Sequence, residues 1–201
     1  MRDYYEQLWE RLPDDLHPPD LALRRGFALR NVAPGDRVLD LGCGAGDLTA
    51  DLASTGAHVL GIDVAEAALR RARRRHPELD FRRAEIGEAL PIEEQSCDVV
   101  WASEVIEHVA DTEHWLREVR RVLAPGGRLL LTTPSHGRLR LAVGGLERYS
   151  PPLGDHLHLY TARSLRDVLE IMEFVDVDVH AAGGPPLWRR LLLAGARSEP
   201  R

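Results

Sequence analysis

The chain has 201 residues, 44% of them hydrophobic and 29% charged, which suffices for one sizeable core but is short for two independent ones. Its net charge of −6 disfavours a broad nucleic-acid surface, no apolar run approaches the roughly 18 residues that span a bilayer, and MRDYYEQLWERLPDD is no apolar leader; a cytoplasmic protein with no membrane partner is expected. All 26 residues of the Lys+Arg count are arginine, which excludes Schiff-base and P-loop-lysine chemistry, and Cys43 and Cys97 lack disulfide-framework or zinc-ribbon spacing.

Residues 1–34 read as an N-terminal helical cap ahead of a single α/β domain over 35–201. Arg37–Leu41 is the first strand-like run and Asp47–Ser54 the first helical pattern. His58–Ile62 and Ala65–Arg75 repeat the pair, followed by Asp98–Ala102, Glu113–Leu123 and Arg128–Thr132. Strands buried on both faces read as continuous apolar runs, so this alternation predicts βαβ units around a parallel sheet. Within it, Arg70–Arg75 reads as the solvated outer face of a helix. Pro125-Gly126-Gly127 is predicted to turn the chain into the strand that follows. Residues 135–160 are rich in Gly, Pro and His and aperiodic, which predicts a substrate lid. Thr161 to Ser164 looks like a helix start, and Val175–Ala181 and Arg189–Ala196 are predicted to close the sheet as an antiparallel pair.

The densest signal is Val38-Leu-Asp-Leu-Gly-Cys-Gly-Ala-Gly-Asp47, a strand running into a glycine turn and then a helix. Gly42, Gly44 and Gly46 permit a sharp turn and close approach of backbone to a ligand. Asp63 ends the next strand, where a carboxylate can accept hydrogen bonds from two ribose hydroxyls. A dinucleotide fingerprint, GxGxxG, would place its third glycine where Asp47 stands, and an aspartate there would repel pyrophosphate at the helix N-terminus.

On these residues the chain resembles the class I S-adenosylmethionine-dependent methyltransferases, with VLDLGCGAG, VLGID, SCDVVWASEVIEHVAD and LAPGGRLLLTTP standing for successive motifs over about residues 35–182. The resemblance implies a Rossmann-like α/β fold, a mostly parallel seven-stranded sheet with helices on both faces and a closing antiparallel pair. The implied cofactor is S-adenosylmethionine, with S-adenosylhomocysteine as product; it has no phosphate, so Asp47 does not repel it. Asp40 and the turn Gly42–Gly46 would face the methionine part, Asp63 the ribose, Val64 the adenine, and Ser103 the methionine amino group. Where the family often has an aspartate on the adenine amine this chain has Ile86, which leaves adenine to backbone or to Glu85. Tyr4, Tyr5 and Trp9 resemble an aromatic cap over the cofactor, with an ordinary amphipathic helix as the alternative.

Motifs for exocyclic DNA amines, pyrimidine C5 and lysine-dependent ribose methylation are absent from the sequence. Glu104-Val-Ile-Glu107-His108 and the later His156 are similar to two groups. One is ubiquinone-pathway-type small-molecule O-methyltransferases; the other is divalent-metal-dependent small-RNA 3′-terminal 2′-O-methyltransferases. A small-molecule acceptor methylated at oxygen or nitrogen is expected, with His108, His156 and Glu107 as acid–base residues. The alternatives are RNA ribose methylation with Glu104, Glu107, His108 and His156 as metal ligands, and a non-catalytic cofactor-binding or partner-activating subunit. Trp101, Pro134, His136, Tyr149 and Tyr160 are candidates to line the acceptor pocket.

Overall fold

Residues 2–13, 20–85, 88–136, 156–185 and 189–199 are described here, from a computed structural model. Ile86, Tyr149 and most of the 135–160 segment lie outside these described residues, so the lid expectation falls largely outside them too.

The glycine-turn strand β1 (Arg37–Leu41) is buried at all but its first residue, and β4 (Cys97–Ser103) is nearly as apolar. These runs occupy the middle of a seven-stranded sheet in the order β3-β2-β1-β4-β5-β7-β6. Strands β2 (His58–Asp63), β3 (Asp80–Arg83), β4 and β5 (Leu123–Pro134) extend it in parallel, while β7 (Leu191–Ser198) pairs antiparallel with both β5 and β6 (Phe174–Ala182). Because β2 lies on one side of β1 and β4 on the other, the strand order reverses between β1 and β4. A crevice opens beyond their carboxyl ends, the place where such sheets hold ligands.

Helices α3 (Asp47–Ala53), α4 (Glu66–Arg75) and α5 (Thr112–Val122) supply the crossovers, and α6 (Ala162–Ile171) packs on β6. The apolar stripe of α5, Trp115, Leu116, Val119 and Val122, is fully buried. Each such side chain contributes roughly 1.5–3 kcal/mol of burial free energy. Asp111 caps α5 by accepting the His114 N–H, and Thr161 and Ser164 form a reciprocal capping box on α6, as the expected helix start requires. Upstream, α1 (Arg2–Arg11) packs on α4 and α2 (Leu21–Arg30) on α3. No residue of α1 is fully buried; polar contacts hold it, including Glu6, which accepts the Ala67 N–H at 3.1 Å and so caps α4 from outside.

Several local expectations are corrected. Strand β3 has no counterpart among the expected runs, since its residues DFRR offer one buried position. The expected turn at Pro125-Gly126-Gly127 is an irregularity inside β5: Cys97 pairs with Leu123 and Val99 with Arg128, so the extra residues bulge within one strand. The arginines of α4 are more engaged than a solvated face implies. Arg71 donates to the Leu12 and Pro13 carbonyls, Arg73 to the Phe81 carbonyl, and Arg75 to Asp47. No helix among the described residues is long and apolar enough to cross a membrane.

Candidate functional site

The glycine turn follows β1 directly, and the amides of Gly42 and Cys43 both donate to the Ile62 carbonyl of β2, at 2.7 and 2.9 Å. Gly42 has φ +84° and Gly46 φ +82°, left-handed values that a side chain strains against. A Cβ at Gly42 would lie 2.5 Å from Val105 Cγ2, and one at Gly44 2.9 Å from the Trp9 ring. The turn is therefore wedged between the segment after β4 and the N-terminal helix α1, with no room for side chains on either side.

Two buried aspartates stand at this turn. Asp63 accepts the Gly44 N–H at Oδ2 and the Ala65 N–H at Oδ1, each at 2.9 Å, so one carboxylate ties the turn to the start of α4. Four lone-pair sites on a carboxylate leave it capacity for further donors. Burial raises its pKa, against the lowering effect of these backbone donors. Asp40 accepts from Thr49 Oγ1 at 2.6 Å, and burial pushes it up to about 7, with the nearby Asp63 charge adding to the rise.

Trp9 lies over Gly44, with Arg71 above its ring at 5.8 Å, and separates two cavities. One, of about 240 Å³, is lined by Asp63, Val64, Ser103, Val105 and Tyr5 among others. The second, of about 120 Å³, is lined by Asp40, Cys43, Ala45, Arg24 and Ser103. Gly42, Gly44 and Trp9 border both. Asp63 and Val64, assigned from sequence to ribose and adenine, thus share one cavity, Asp40 and Gly42–Ala45 of the methionine part border the other, Ser103 lines both, and Gly46 lines neither. Glu85 lines neither; it is within 3.5 Å of Arg2 Nη1 and 4.0 Å of Arg83.

The Glu-x-x-Glu-His set does not form one continuous α-helical turn. Glu104 has φ +57°, and only Ile106–His108 forms a short 3-10 helix. Glu104 is 3.0 Å from Nη2 of Arg24, a buried arginine on α2, and accepts from Thr132 Oγ1. Glu107 is fully buried, accepts from Thr133 Oγ1 at 2.9 Å, and has Oε1 3.8 Å from His108 Nε2. Burial first, and then the neighbouring Glu104 charge, push the Glu107 carboxyl up to about 8. The amides of Leu157 and His158 donate to the Glu107 carbonyl, which docks the start of the 156–158 segment here. As a result, ligand atoms of Glu107, His108 and His156 lie within 4.8 Å of one another, and the His108 and His156 rings meet edge-on at 5.0 Å. Among the described residues Glu104 is not part of this group. The fully buried His136 touches His156 at 6.0 Å between ring centroids, and Tyr5 touches His108 at 5.9 Å. Trp101, expected in an acceptor pocket, is instead fully buried in the core between β4 and α2, beside Phe27. Sequence reasoning missed Arg24, whose position in LALRRGFALR looks like an ordinary exposed helix residue.

A family model for a methyltransferase domain matches residues 39–131. Over 108 residues the chain is 44% identical to a ubiquinone biosynthesis O-methyltransferase of Hahella chejuensis, covering 52% of this chain and 45% of that protein. It is 30% identical over 198 residues to a trans-aconitate 2-methyltransferase of Variovorax paradoxus, covering 95% of this chain and 73% of the relative. The chain belongs to the class I S-adenosylmethionine-dependent methyltransferases. The fold agrees: a Haemonchus contortus phosphoethanolamine N-methyltransferase, solved with S-adenosylmethionine, superposes with a TM-score of 0.76 at 19% identity, over 98% of this chain and 56% of that one. S-adenosylmethionine is the methyl donor of that family. The chain spans less than two thirds of several curated relatives, 45% of the Hahella methyltransferase and 60% of a probable S-adenosylmethionine-dependent methyltransferase of Mycolicibacterium smegmatis.

Proposed function

We propose that the protein transfers the methyl group of S-adenosylmethionine to an oxygen or nitrogen of a small-molecule acceptor. The observation that carries this is the turn Gly42–Gly46 pinned by the Asp63 carboxylate, with one cavity on each side of Gly44. In this reading Asp63 holds the ribose, Val64 packs on the adenine, and Asp40 and Ser103 face the methionine amino group. Residues 1–34 act as the cap, with Trp9 of α1 forming its roof.

The bound cofactor supplies a methyl group on a sulfonium, already activated for in-line displacement, so the protein aligns the acceptor and takes its proton. His108 lines the larger cavity together with Asp63, Val64 and Val105. It receives the acceptor proton, His156 contacts its ring, and Glu107 Oε1 stands 3.8 Å from its Nε2. The methyl carbon leaves sulfur, which keeps the electron pair, and bonds to the acceptor oxygen or nitrogen.

The grouping of Glu107, His108 and His156 supports a second reading, in which a divalent ion lowers the pKa of an acceptor hydroxyl. One buried carboxylate and two imidazoles are a suitable donor set for Zn²⁺, Mn²⁺ or Fe²⁺, and Glu104 is occupied by Arg24. Release of adenosylhomocysteine across a panel of phenols, carboxylic acids and amines, with and without chelator, tests both readings. Turnover that survives exhaustive chelation removes the metal, and no turnover with any acceptor argues for a non-catalytic subunit.

A further inference from the structure

Ser103, Thr132 and Glu104 form a directed hydrogen-bond chain at the end of the β4–β5 ladder. Ser103 and Thr132 are register partners, their hydroxyl oxygens lie 3.0 Å apart, and Thr132 Oγ1 is 3.1 Å from Glu104 Oε1. Glu104 Oε2 lies 3.0 Å from Nη2 of the buried Arg24. Burial works to raise the Glu104 pKa, and the Arg24 charge and the Thr132 donor work against it. A neutral acid would strip a buried guanidinium of a counter-ion at contact distance, so the carboxylate form prevails.

A carboxylate only accepts, and a hydroxyl has one proton to give. The Thr132 proton therefore goes to Glu104, and the bond between the two hydroxyls runs from Ser103 to Thr132. The Ser103 oxygen is left with its lone pairs and no donor to turn elsewhere. Its place gives this polarity a use. The two cavities share Trp9, Gly42, Gly44 and Ser103, and of these Ser103 alone has a side-chain acceptor. A molecule whose ribose meets Asp63 in the larger cavity and whose amino-acid end meets Asp40 in the smaller one carries its sulfur across this junction. In S-adenosylmethionine that sulfur is a sulfonium cation; in adenosylhomocysteine it is a neutral thioether. Fixed lone pairs favour the cation, whereas a hydroxyl free to rotate would turn its proton to the thioether and accommodate both.

We propose that Ser103 is a specificity residue that reads the charge on the cofactor's sulfur, favouring the methylated cofactor over the demethylated product, and that Thr132 and Glu104 are its positioning residues. This rests on the cofactor assignment above and deepens it; a second lone pair of Ser103 remains for the methionine ammonium. It also gives the first glutamate of the Glu-x-x-Glu-His set a task separate from the Glu107, His108 and His156 group. The strand itself divides the two tasks. Thr133, the residue after Thr132, points to the opposite face of β5 and donates to Glu107 instead.

The test compares three ligands by calorimetry on the whole chain: S-adenosylmethionine, the analogue in which an aminomethine replaces the methylsulfonium and so places an ammonium there, and adenosylhomocysteine. The wild-type protein should bind both cations more tightly than adenosylhomocysteine. Ser103→Ala should cut the preference for the ammonium analogue roughly tenfold, the loss of one charge-assisted hydrogen bond, and that for S-adenosylmethionine about two- to fivefold, the loss of a weaker C–H···O contact. Thr132→Val changes no charge and keeps Ser103 but releases its proton, so it should cut the ammonium preference at least about threefold with adenosylhomocysteine affinity nearly unchanged. Thr132→Ser keeps the hydroxyl chain and should keep the wild-type preference. Each preference is a ratio within one variant, so a loss of stability does not imitate the effect, and the Ser103→Ala arm stands even if the valine variant fails to fold. An unchanged preference in Ser103→Ala or Thr132→Val, or a loss in Thr132→Ser as large as in Thr132→Val, would overturn the proposal. A wild-type chain that binds adenosylhomocysteine as tightly as the cations overturns it too and leaves the cofactor reading intact. A wild-type chain that binds none of the three removes both.

Discussion

Replacing Asp63 by asparagine should damage both the fold and the site, because its carboxylate works on both. Its two oxygens each accept a backbone N–H at 2.9 Å, from Gly44 and from Ala65. Asparagine keeps one acceptor, and its amide nitrogen is left facing a backbone donor. One charge-assisted bond, about 1.5–3 kcal/mol, is lost and a buried N–H is orphaned. Part of this is returned, because burial already disfavours the charged form and raises the Asp63 pKa. A net loss of about 1–2 kcal/mol remains, equivalent to roughly 2–8 °C in melting midpoint for a chain of this size. Adenosylhomocysteine binding should fall at least tenfold, about 1.4 kcal/mol, through lost ribose contacts and a loosened turn. Scanning calorimetry reads the first effect and titration calorimetry the second. A variant that melts lower yet binds adenosylhomocysteine as the wild type does would show that Asp63 is only a brace for the turn, and would refute its ribose role.

Three further outcomes are expected. Asp40, with a folded pKa of about 7, binds its proton more tightly folded than unfolded, so its contribution to stability is present below about pH 4 and is lost as pH rises through 7; ligand binding should tighten over that upper range, since an ammonium favours the ionised form. Asp40→Asn should flatten both profiles, and an unchanged pH dependence in that variant would contradict the assignment. Gly42→Ala should cost about 2–5 kcal/mol of stability by denaturant unfolding, from left-handed strain plus the 2.5 Å approach to Val105, and adding Val105→Ala should restore only the contact part; full recovery would mean that the backbone carries no strain. If a metal is used, Mn²⁺ or Zn²⁺ should bind one per chain and His156→Ala should weaken it roughly tenfold or more with adenosylhomocysteine affinity kept, whereas equal metal affinity in the variant would exclude His156 as a ligand.

The alternating apolar runs and the glycine turn made the parallel half of the sheet legible, since strands buried on both faces announce themselves by composition. The bounds of β1 read from sequence coincide with those observed, Arg37–Leu41. Strand β3 was illegible for the converse reason: an edge strand with one buried residue, Phe81, carries almost no periodic signal. The closing pair was readable as two runs, but the insertion of β7 between β5 and β6 is a tertiary outcome that no local pattern encodes. At the site, spacing brought Glu107, His108 and His156 to attention and the structure gathers them. Spacing does not separate Glu104 from that group, because its left-handed φ of +57° leaves no mark in the sequence. Its true partner, Arg24, lies 80 positions away on an amphipathic-looking helix, and a buried ion pair of that separation leaves no local trace in the sequence.

The central claim is that the paired cavities around Gly44 hold S-adenosylmethionine, and titration of the wild-type chain with adenosylhomocysteine and, separately, with NADH tests it most directly. Adenosylhomocysteine should bind one to one, with a change in tryptophan emission that is lost in Trp9→Phe because Trp9 covers the turn. Tight NADH binding with no adenosylhomocysteine signal would contradict the account.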